Sequence, residues 1–251
     1  MIPSKMQQRA WDGSSATQLS KGKSYQLHCS KTQFDPSEEW DVFWSDLPMG
    51  NEVLSKMRNY QKINHFPWMY QICRKNLLAK NIKKMEKMYP NDFKITPRTW
   101  QLPYEYNELK SFINKKKVVS MIVKPEGGAQ GRGIFITRKL EDINSADHCV
   151  VQRYMRSPYL IDDFKFDLRI YVLVTSCEPL KVFVYNEGMV RFATEKWDID
   201  TCTNYDNLFM HLTNYAINKD NGMIISEDPH EDTGHKRLLT TIFQVKSKIN
   251  L

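Results

Sequence analysis

Between residues 67 and 89, apolar side chains recur with a helical period at Met69, Ile72, Cys73, Leu77, Leu78, Ile82 and Met85, with lysines on the opposite side. That spacing predicts an amphipathic helix with one face on a core. Pro97 and Pro103 then bracket an extended stretch, and a second helix is predicted over Tyr104 to Asn114. The period changes next. Val118-Val119-Ser120-Met121-Ile122-Val123 is a strand-like run that empties into a glycine-rich loop, and Ile134-Phe135-Ile136 resumes a strand after it. Further strands are predicted at Cys149 to Tyr154, Leu168 to Val174 and Lys181 to Tyr185. The last two are joined by Ser176-Cys177-Glu178-Pro179, a hairpin turn. Upstream, residues 1 to 22 are polar and predict a loose tail, while 25 to 47 predict small strands and turns with Trp40, Phe43 and Trp44 in a core. Frequent strands interrupted by helices predict an α+β or mixed α/β enzyme without internal repeats.

Composition excludes several classes. With 251 residues, 41% hydrophobic and 26% charged, the chain can bury a sizeable core and is unlike a disordered protein. No apolar run approaches the roughly 18 residues that cross a bilayer. No basic start is followed by an apolar segment, so neither secretion nor a membrane span is expected. Five widely spaced cysteines without a C-x-x-C unit predict reduced thiols in cytosol, not a zinc site or a disulfide scaffold. The formal charge of +7 is uneven: residues 56 to 98 hold eleven Lys or Arg against Glu86 and Asp92. Such a window is either a solvated face or a capture surface for an acidic polymer, protein tail or nucleic acid.

The candidate chemistry centres on Lys124-Pro125-Glu126-Gly127-Gly128-Ala129-Gln130-Gly131-Arg132-Gly133. Glycines between two strands permit tight turns and leave backbone N–H groups facing phosphate oxygens, with Lys124 and Arg132 as cations beside them. The same text also fits a plain hairpin turn. It is neither the P-loop nor the dinucleotide pattern, both of which need a helix directly after the glycines. A second cluster is Lys165-Phe166-Asp167-Leu168-Arg169-Ile170-Tyr171-Val172. Strand alternation puts Asp167, Arg169 and Tyr171 on one face, where Asp167 and Arg169 either line a cleft or form an ion pair. Arg191-Phe192-Ala193-Thr194 offers another cation, and His211-Leu212-Thr213-Asn214-Tyr215-Ala216 is dense in polar groups, though His211 also fits a hydrogen-bonded core histidine.

These groups together closely resemble the tubulin tyrosine ligase-like family, particularly its polyglutamylase branch. The match runs from about Trp40 to Ile217 through Gln61-Lys62-Ile63-Asn64-His65-Phe66-Pro67, Cys73-Arg74-Lys75-Asn76-Leu77-Leu78, Pro97-Arg98-Thr99-Trp100, the Lys124 loop and the later clusters. The resemblance implies an ATP-grasp-like α+β fold, with a polar tail (1–22), a basic N-terminal lobe (23–103), a central lobe with the glycine-rich loop (104–160) and an incomplete C-terminal catalytic lobe (161–251). It implies ATP and Mg2+ as cofactors. Lys124 contacts phosphates beneath a cover made by Gly127, Gly128, Gln130, Gly131, Arg132 and Gly133. Gln152, Arg153, Tyr154 and Met155 form the hinge beside adenine, and Lys165 and Asp167 line the same pocket. Arg169 faces the acyl-phosphate region, Arg191 binds the incoming amino acid's carboxylate, and Asn214 is a further contact in the cleft.

The implied reaction phosphorylates a glutamate side chain of a tubulin tail, whose acyl phosphate is attacked by the amino group of free L-glutamate. The basic window, including Lys83 and Lys84, then serves to hold the acidic tail of tubulin or microtubules, displacing nucleic acid as the favoured polyanion. The implied location is the cytoplasmic microtubule cytoskeleton, at a cilium or basal body. Three features depart from the family, one of them the loop Pro125-Glu126-Gly127-Gly128-Ala129-Gln130, which differs from the commoner Pro-Asp-Ser-Gly-Cys-Gln form but keeps its cation and glycines. The distal magnesium-binding acids and asparagine have no counterpart after Ile217, where Glu227, Asp228, Glu231 and Asp232 read as a polar insertion before a helix. Weak or no ligase activity is therefore expected of the isolated chain, and a non-catalytic microtubule-binding member, or a glycine or tyrosine ligase, stays open. The third departure is Trp68, where the family more often has glycine.

Overall fold

The computed structural model describes residues 41–43, 47–116, 119–198, 205–218, 221 and 234–248. The predicted tail, Trp40, Trp44, Val118 and the acids Glu227, Asp228, Glu231 and Asp232 lie outside them. The chain divides into two compact units, Met1–Cys73 and Arg74–Leu251.

In the first unit, β1 (Val42–Phe43) pairs in parallel with β2 (Lys62–Ile63), and α1 (Asn51–Lys56) lies between them in sequence. Phe43 is buried, as its aromatic run predicts. Trp68 has φ +66 and is largely exposed, just before α2 (Tyr70–Cys73). A left-handed backbone costs a residue with a Cβ roughly 1–2 kcal/mol, which is the physical reason glycine suits this position.

The second unit opens with α3 (Lys75–Met88) and the short α4 (Pro90–Phe93). The single helix predicted over 67–89 is thus broken at Arg74, whose φ −89 and ψ 128 are extended. Apolar periodicity cannot register one extended residue when the pattern resumes in phase beyond it. The stretch between the two prolines becomes β3 (Thr99–Leu102), and α5 (Tyr106–Lys115) follows.

β4 (Met121–Pro125), β5 (Phe135–Thr137) and β6 (Cys149–Arg153) complete an antiparallel sheet ordered β3-β6-β4-β5. A lobe boundary at 103 would therefore separate β3 from the helix packed on its own sheet. One face buries Trp100, Leu102, Met121, Val123, Cys149 and Val151 against Leu109 of α5, with Tyr106, Phe112 and Ile113 at its margin. Ile122 points the other way, into a second cluster with Ile136, Tyr154 and Leu212. β4 is buried on both faces, so its sequence reads as an unbroken apolar run without alternation.

A second antiparallel sheet is ordered β10-β9-β8-β7, from β7 (Leu160–Ile161), β8 (Phe164–Cys177), β9 (Leu180–Lys196) and β10 (Lys236–Leu238). The hairpin turn after Cys177 falls as predicted, but both strands run well past 168–174 and 181–185. They do so because β9 finds partners on both sides, β8 and β10. Gly188 permits this midway: a Cβ there would come within 2.8 Å of the Arg169 carbonyl oxygen. α8 (Leu239–Lys248) packs Leu239 and Ile242 on Val190 and Phe192. Two short helices, α6 (Leu208–His211) and α7 (Tyr215–Asn218), carry the His211–Asn218 motif.

No helix among the described residues is long and apolar enough to cross a membrane. The described cysteines Cys73, Cys149 and Cys177 are all free thiols, and burial pushes that of Cys149 up to about 11.

Candidate nucleotide-binding site

Strand alternation builds the site. Met121 and Val123 face α5, so Ile122 and Lys124 project from the opposite side of β4. Gln152 sits opposite Ile122 in the β4–β6 register and Thr99 sits opposite Gln152 in β3, so all three share that side. Lys124 Nζ donates to Gln152 Oε1 at 2.9 Å, and Gln152 Nε2 donates to Thr99 Oγ1 at 2.9 Å. Two residues on, Tyr154 faces the same side, whereas Arg153 alternates to the other with Val151. The backbone N–H groups of Arg153 and Tyr154 donate to the Arg98 and Ser120 carbonyls. Met155, largely exposed, is the first residue beyond those bonds.

The loop between β4 and β5 is pinned from α3. Lys75 Nζ donates to the carbonyls of Pro125 and Gly128, each at 2.6 Å, and Asn76 Nδ2 bonds the Glu126 carboxylate. Gln130, Gly131 and Gly133 all take positive φ, at +59, +86 and +69. A Cβ on Gly131 would lie 2.4 Å from Ile217 Cδ1 and 3.2 Å from Asn214 Oδ1, so the loop seats directly on the start of α7. The N–H groups of Gly128 and Arg132 close turns onto Pro125 and Ala129, and Arg132 itself is exposed.

Lys165, on β8, reaches the same face. Its ammonium donates to Tyr154 Oη at 3.0 Å and to the His211 carbonyl at 2.7 Å. Burial first and the nearby Lys124 second, against a smaller opposing effect of Asp167, lower its pKa to about 8. Burial likewise lowers Lys124, assisted by Lys75. Lys124 is thus repelled by Lys75 and repels Lys165 across a partly dry face on which Asp167 is the acid that registers at Lys165. A polyanion relieves that imbalance, and an array of this kind suits phosphate oxygens.

Asp167 is itself engaged. It lies opposite Arg191 in the β8–β9 register and takes the guanidinium as a fork, from Nε at 2.8 Å and Nη2 at 2.7 Å. Thr213 Oγ1 donates to the same carboxylate at 2.6 Å. Of the two readings open for Asp167, the ion pair is made, but with Arg191 and not Arg169: residues directly opposite in a ladder approach more closely than i and i+2 on one strand. The carboxylate holds the Arg191 guanidinium above its ordinary range. Arg169 is exposed with its guanidinium 5.8 Å from the Tyr171 ring centre.

The structure thus gathers Lys124, Gln152, Tyr154, Lys165, Asp167 and Arg191, with Gly131 against Asn214. Lys83 is elsewhere, ion-paired to Glu105 at 2.6 Å and Glu108 at 2.9 Å, while Lys84 beside it is exposed. Residues without an expected role in the site are Lys75, Thr213 and the side chain of His211. The Arg74-Lys75-Asn76 motif is the sequence signal that points to the first of these. Among the described residues no group of three or more His, Cys, Asp or Glu is assembled for a metal ion.

The mixed α+β fold is consistent with the ATP-grasp superfamily. The profile of the tubulin-tyrosine ligase family matches residues 53–250, and the chain belongs to that family. It is 50% identical over 213 residues to a probable beta-tubulin polyglutamylase of Tetrahymena thermophila, an overlap of 83% of this chain and 18% of the relative. It is 46% identical over 214 residues to mouse (Mus musculus) tubulin polyglutamylase TTLL13, covering 85% of this chain and 26% of the relative. With human (Homo sapiens) TTLL6, also named a tubulin polyglutamylase, identity is 48% over 204 residues, 81% of this chain and 23% of the relative. The chain therefore spans about a fifth to a quarter of the length of the curated relatives it matches.

Proposed function

We propose that this chain supplies the nucleotide-binding core of an ATP-dependent tubulin polyglutamylase, which adds free L-glutamate to glutamate side chains of tubulin tails through an acyl phosphate. The observation that carries the reading is the excess of positive charge at Lys75, Lys124 and Lys165, in a chain whose similar relatives are named tubulin polyglutamylases. In this reading the β3–β6 sheet and α5 form the central lobe, and the β7–β10 sheet begins the C-terminal lobe.

Lys124 and Lys165 hold phosphate oxygens, the loop from Gly127 to Gly133 covers them, and Gln152 to Met155 border the adenine. Asp167 grips one edge of the Arg191 guanidinium and so orients its other edge toward the carboxylate of the incoming glutamate. Arg169 and Asn214 border the acyl-phosphate region. Mg2+ bound with ATP neutralises phosphate charge, but the described residues assemble no acidic cluster for it. Lys84, with the rest of the basic window, meets the acidic tail, and the site of action is the cytoplasmic microtubule, at a cilium or basal body.

A protein carrying this sequence, incubated with ATP, Mg2+, tubulin and labelled glutamate, is expected to label tubulin. Labelling from glycine or tyrosine instead would reassign the amino acid. ATP binding without transfer of any of the three would favour a microtubule-binding role without catalysis.

Two further outcomes follow from the charges. Phosphate beside Lys165 favours its ammonium, so binding raises a pKa that starts at about 8 and takes up a proton. Affinity for ATP should fall as pH rises through 8 to 9, and calorimetry in buffers of different ionisation enthalpy should register proton uptake. Affinity constant over that range would contradict the Lys165 contact. Lys84→Glu is expected to weaken microtubule co-sedimentation by about three- to tenfold at low salt and much less at high salt. Lys83→Glu is the less clean test, because it also sets two acids, Glu105 and Glu108, against a third.

A further inference from the structure

Behind the proposed phosphate contact stands an array of buried side chains to which the reading above gives no role. Tyr154 and His211 are 57 residues apart and both buried, with Tyr154 Oη 2.9 Å from His211 Nδ1. The imidazole is boxed by rings: edge-on to Tyr154 (centroids 5.5 Å apart) and to Trp197 (5.2 Å), and stacked on Tyr205 at 5.9 Å. Tyr205 is anchored in turn, its hydroxyl 2.7 Å from Ser120 Oγ and accepting from Arg138 Nε at 2.9 Å. Lys165 is tied to this array twice, by its bond to Tyr154 Oη and by its bond to the His211 carbonyl. Its ammonium also lies 4.8 Å from the Tyr154 ring centre and 5.7 Å from that of Trp197.

The direction of the chain follows from its chemistry. An ammonium has donors and no acceptor, so Lys165 must donate to Tyr154 Oη. That donation draws electron density from the phenol oxygen, making it a poorer acceptor and its O–H a stronger donor, so the O–H donates a hydrogen bond to Nδ1 of His211.

We propose that Tyr154 and His211 are positioning residues of the nucleotide site: His211, accepting at Nδ1, orients the Tyr154 hydroxyl, which with the His211 carbonyl aims the Lys165 ammonium at the ligand. Two of its three N–H groups are then engaged among the described residues, and the third serves a phosphate oxygen. Without the array, a four-carbon side chain must give up its rotamer freedom when the ligand binds. The inference rests on the nucleotide reading above, but its first consequence is independent of it.

In the ligand-free chain, nitrogen and proton NMR should show Nδ1 of His211 unprotonated; a proton on Nδ1 would overturn the chain as drawn. For ATP affinity by calorimetry, Tyr154→Phe, a nearly isosteric change, and His211→Leu should each weaken binding about tenfold, the scale of one lost hydrogen bond to a charged group. His211→Asn, whose side-chain oxygen can occupy the Nδ1 position, should bind within about threefold of the unmutated chain. His211→Gln, which places its amide nearer Nε2, should not recover.

Unchanged affinity in Tyr154→Phe, or His211→Asn as weak as His211→Leu in folded protein, would overturn the positioning role. If the unmutated chain fails to bind ATP, the nucleotide reading falls and takes that role with it, whatever the tautomer.

Discussion

Replacing Lys165 with methionine is expected to weaken ATP binding by about 30- to 100-fold, the loss of a desolvated charge on phosphate, and yet to raise the stability of the ligand-free chain at pH 7. The two effects share one cause. Folding takes the ammonium out of water beside Lys124 and lowers its pKa from 10.5 to about 8. Below pH 8 the group is charged in both folded and unfolded states, and the folded state bears the whole desolvation penalty. Between 8 and 10.5 the unfolded chain binds more protons than the folded one, so stability rises with pH across that window.

Methionine retains much of the stem's packing and gives up the hydrogen bonds to Tyr154 and His211. The net gain at pH 7 should be on the order of 1 kcal/mol. Urea unfolding at pH 7 and pH 10 tests this directly: the variant should lack the contribution that the lysine makes between them. A variant that binds ATP normally, or that is less stable than the parent by as much at pH 7 as at pH 10, would refute the reading of Lys165 as a strained, ligand-seeking cation.

Gly131→Ala should produce the largest effect among the loop residues. Its φ of +86 is strained for any residue with a Cβ, and that atom would sit 2.4 Å from Ile217 Cδ1. Backbone strain and local overpacking together should destabilise the chain by about 2–4 kcal/mol. Because Cδ1 is the end of a side chain, the two contributions can be separated. Ile217→Val removes that methyl, so Gly131→Ala should cost about 1 kcal/mol less in the valine background, a coupling readable from a double-mutant cycle. An equal cost in both backgrounds would show that contact with Ile217 plays no part. ATP affinity should drop in parallel, since the loop can no longer seat on Asn214.

Much of the local architecture is legible in the order of residues along the chain. The run from Val118 to Val123, the glycines and the return at Ile134 announce two strands around a loop, and β4 and β5 are those strands. Periodicity carries this because it is a property of neighbours in sequence. The same signal fails at Arg74, where one extended residue splits a helix without disturbing the phase of the apolar positions. It also stops short in β9, where the polar Asn186-Glu187-Gly188 reads as a strand end. Pairing with β8 along Arg169–Ile170 and with β10 just beyond keeps that segment extended.

For the site, the sequence alone singles out Lys124, Lys165, Asp167 and Arg191 as candidate groups, because cations beside glycines and alternating charges on a strand are visible one residue at a time. Which group meets which is decided by tertiary structure. Asp167 pairs with Arg191 and not Arg169 because the hairpin register sets them opposite. Lys75 pins a loop 50 residues away, and His211 reaches Tyr154 across 57. Contacts of that span leave no periodic trace along the chain, since they depend on how two sheets and the short helices beside them pack. The lysines' displaced pKa values depend likewise on burial and mutual distance, which only the folded chain sets.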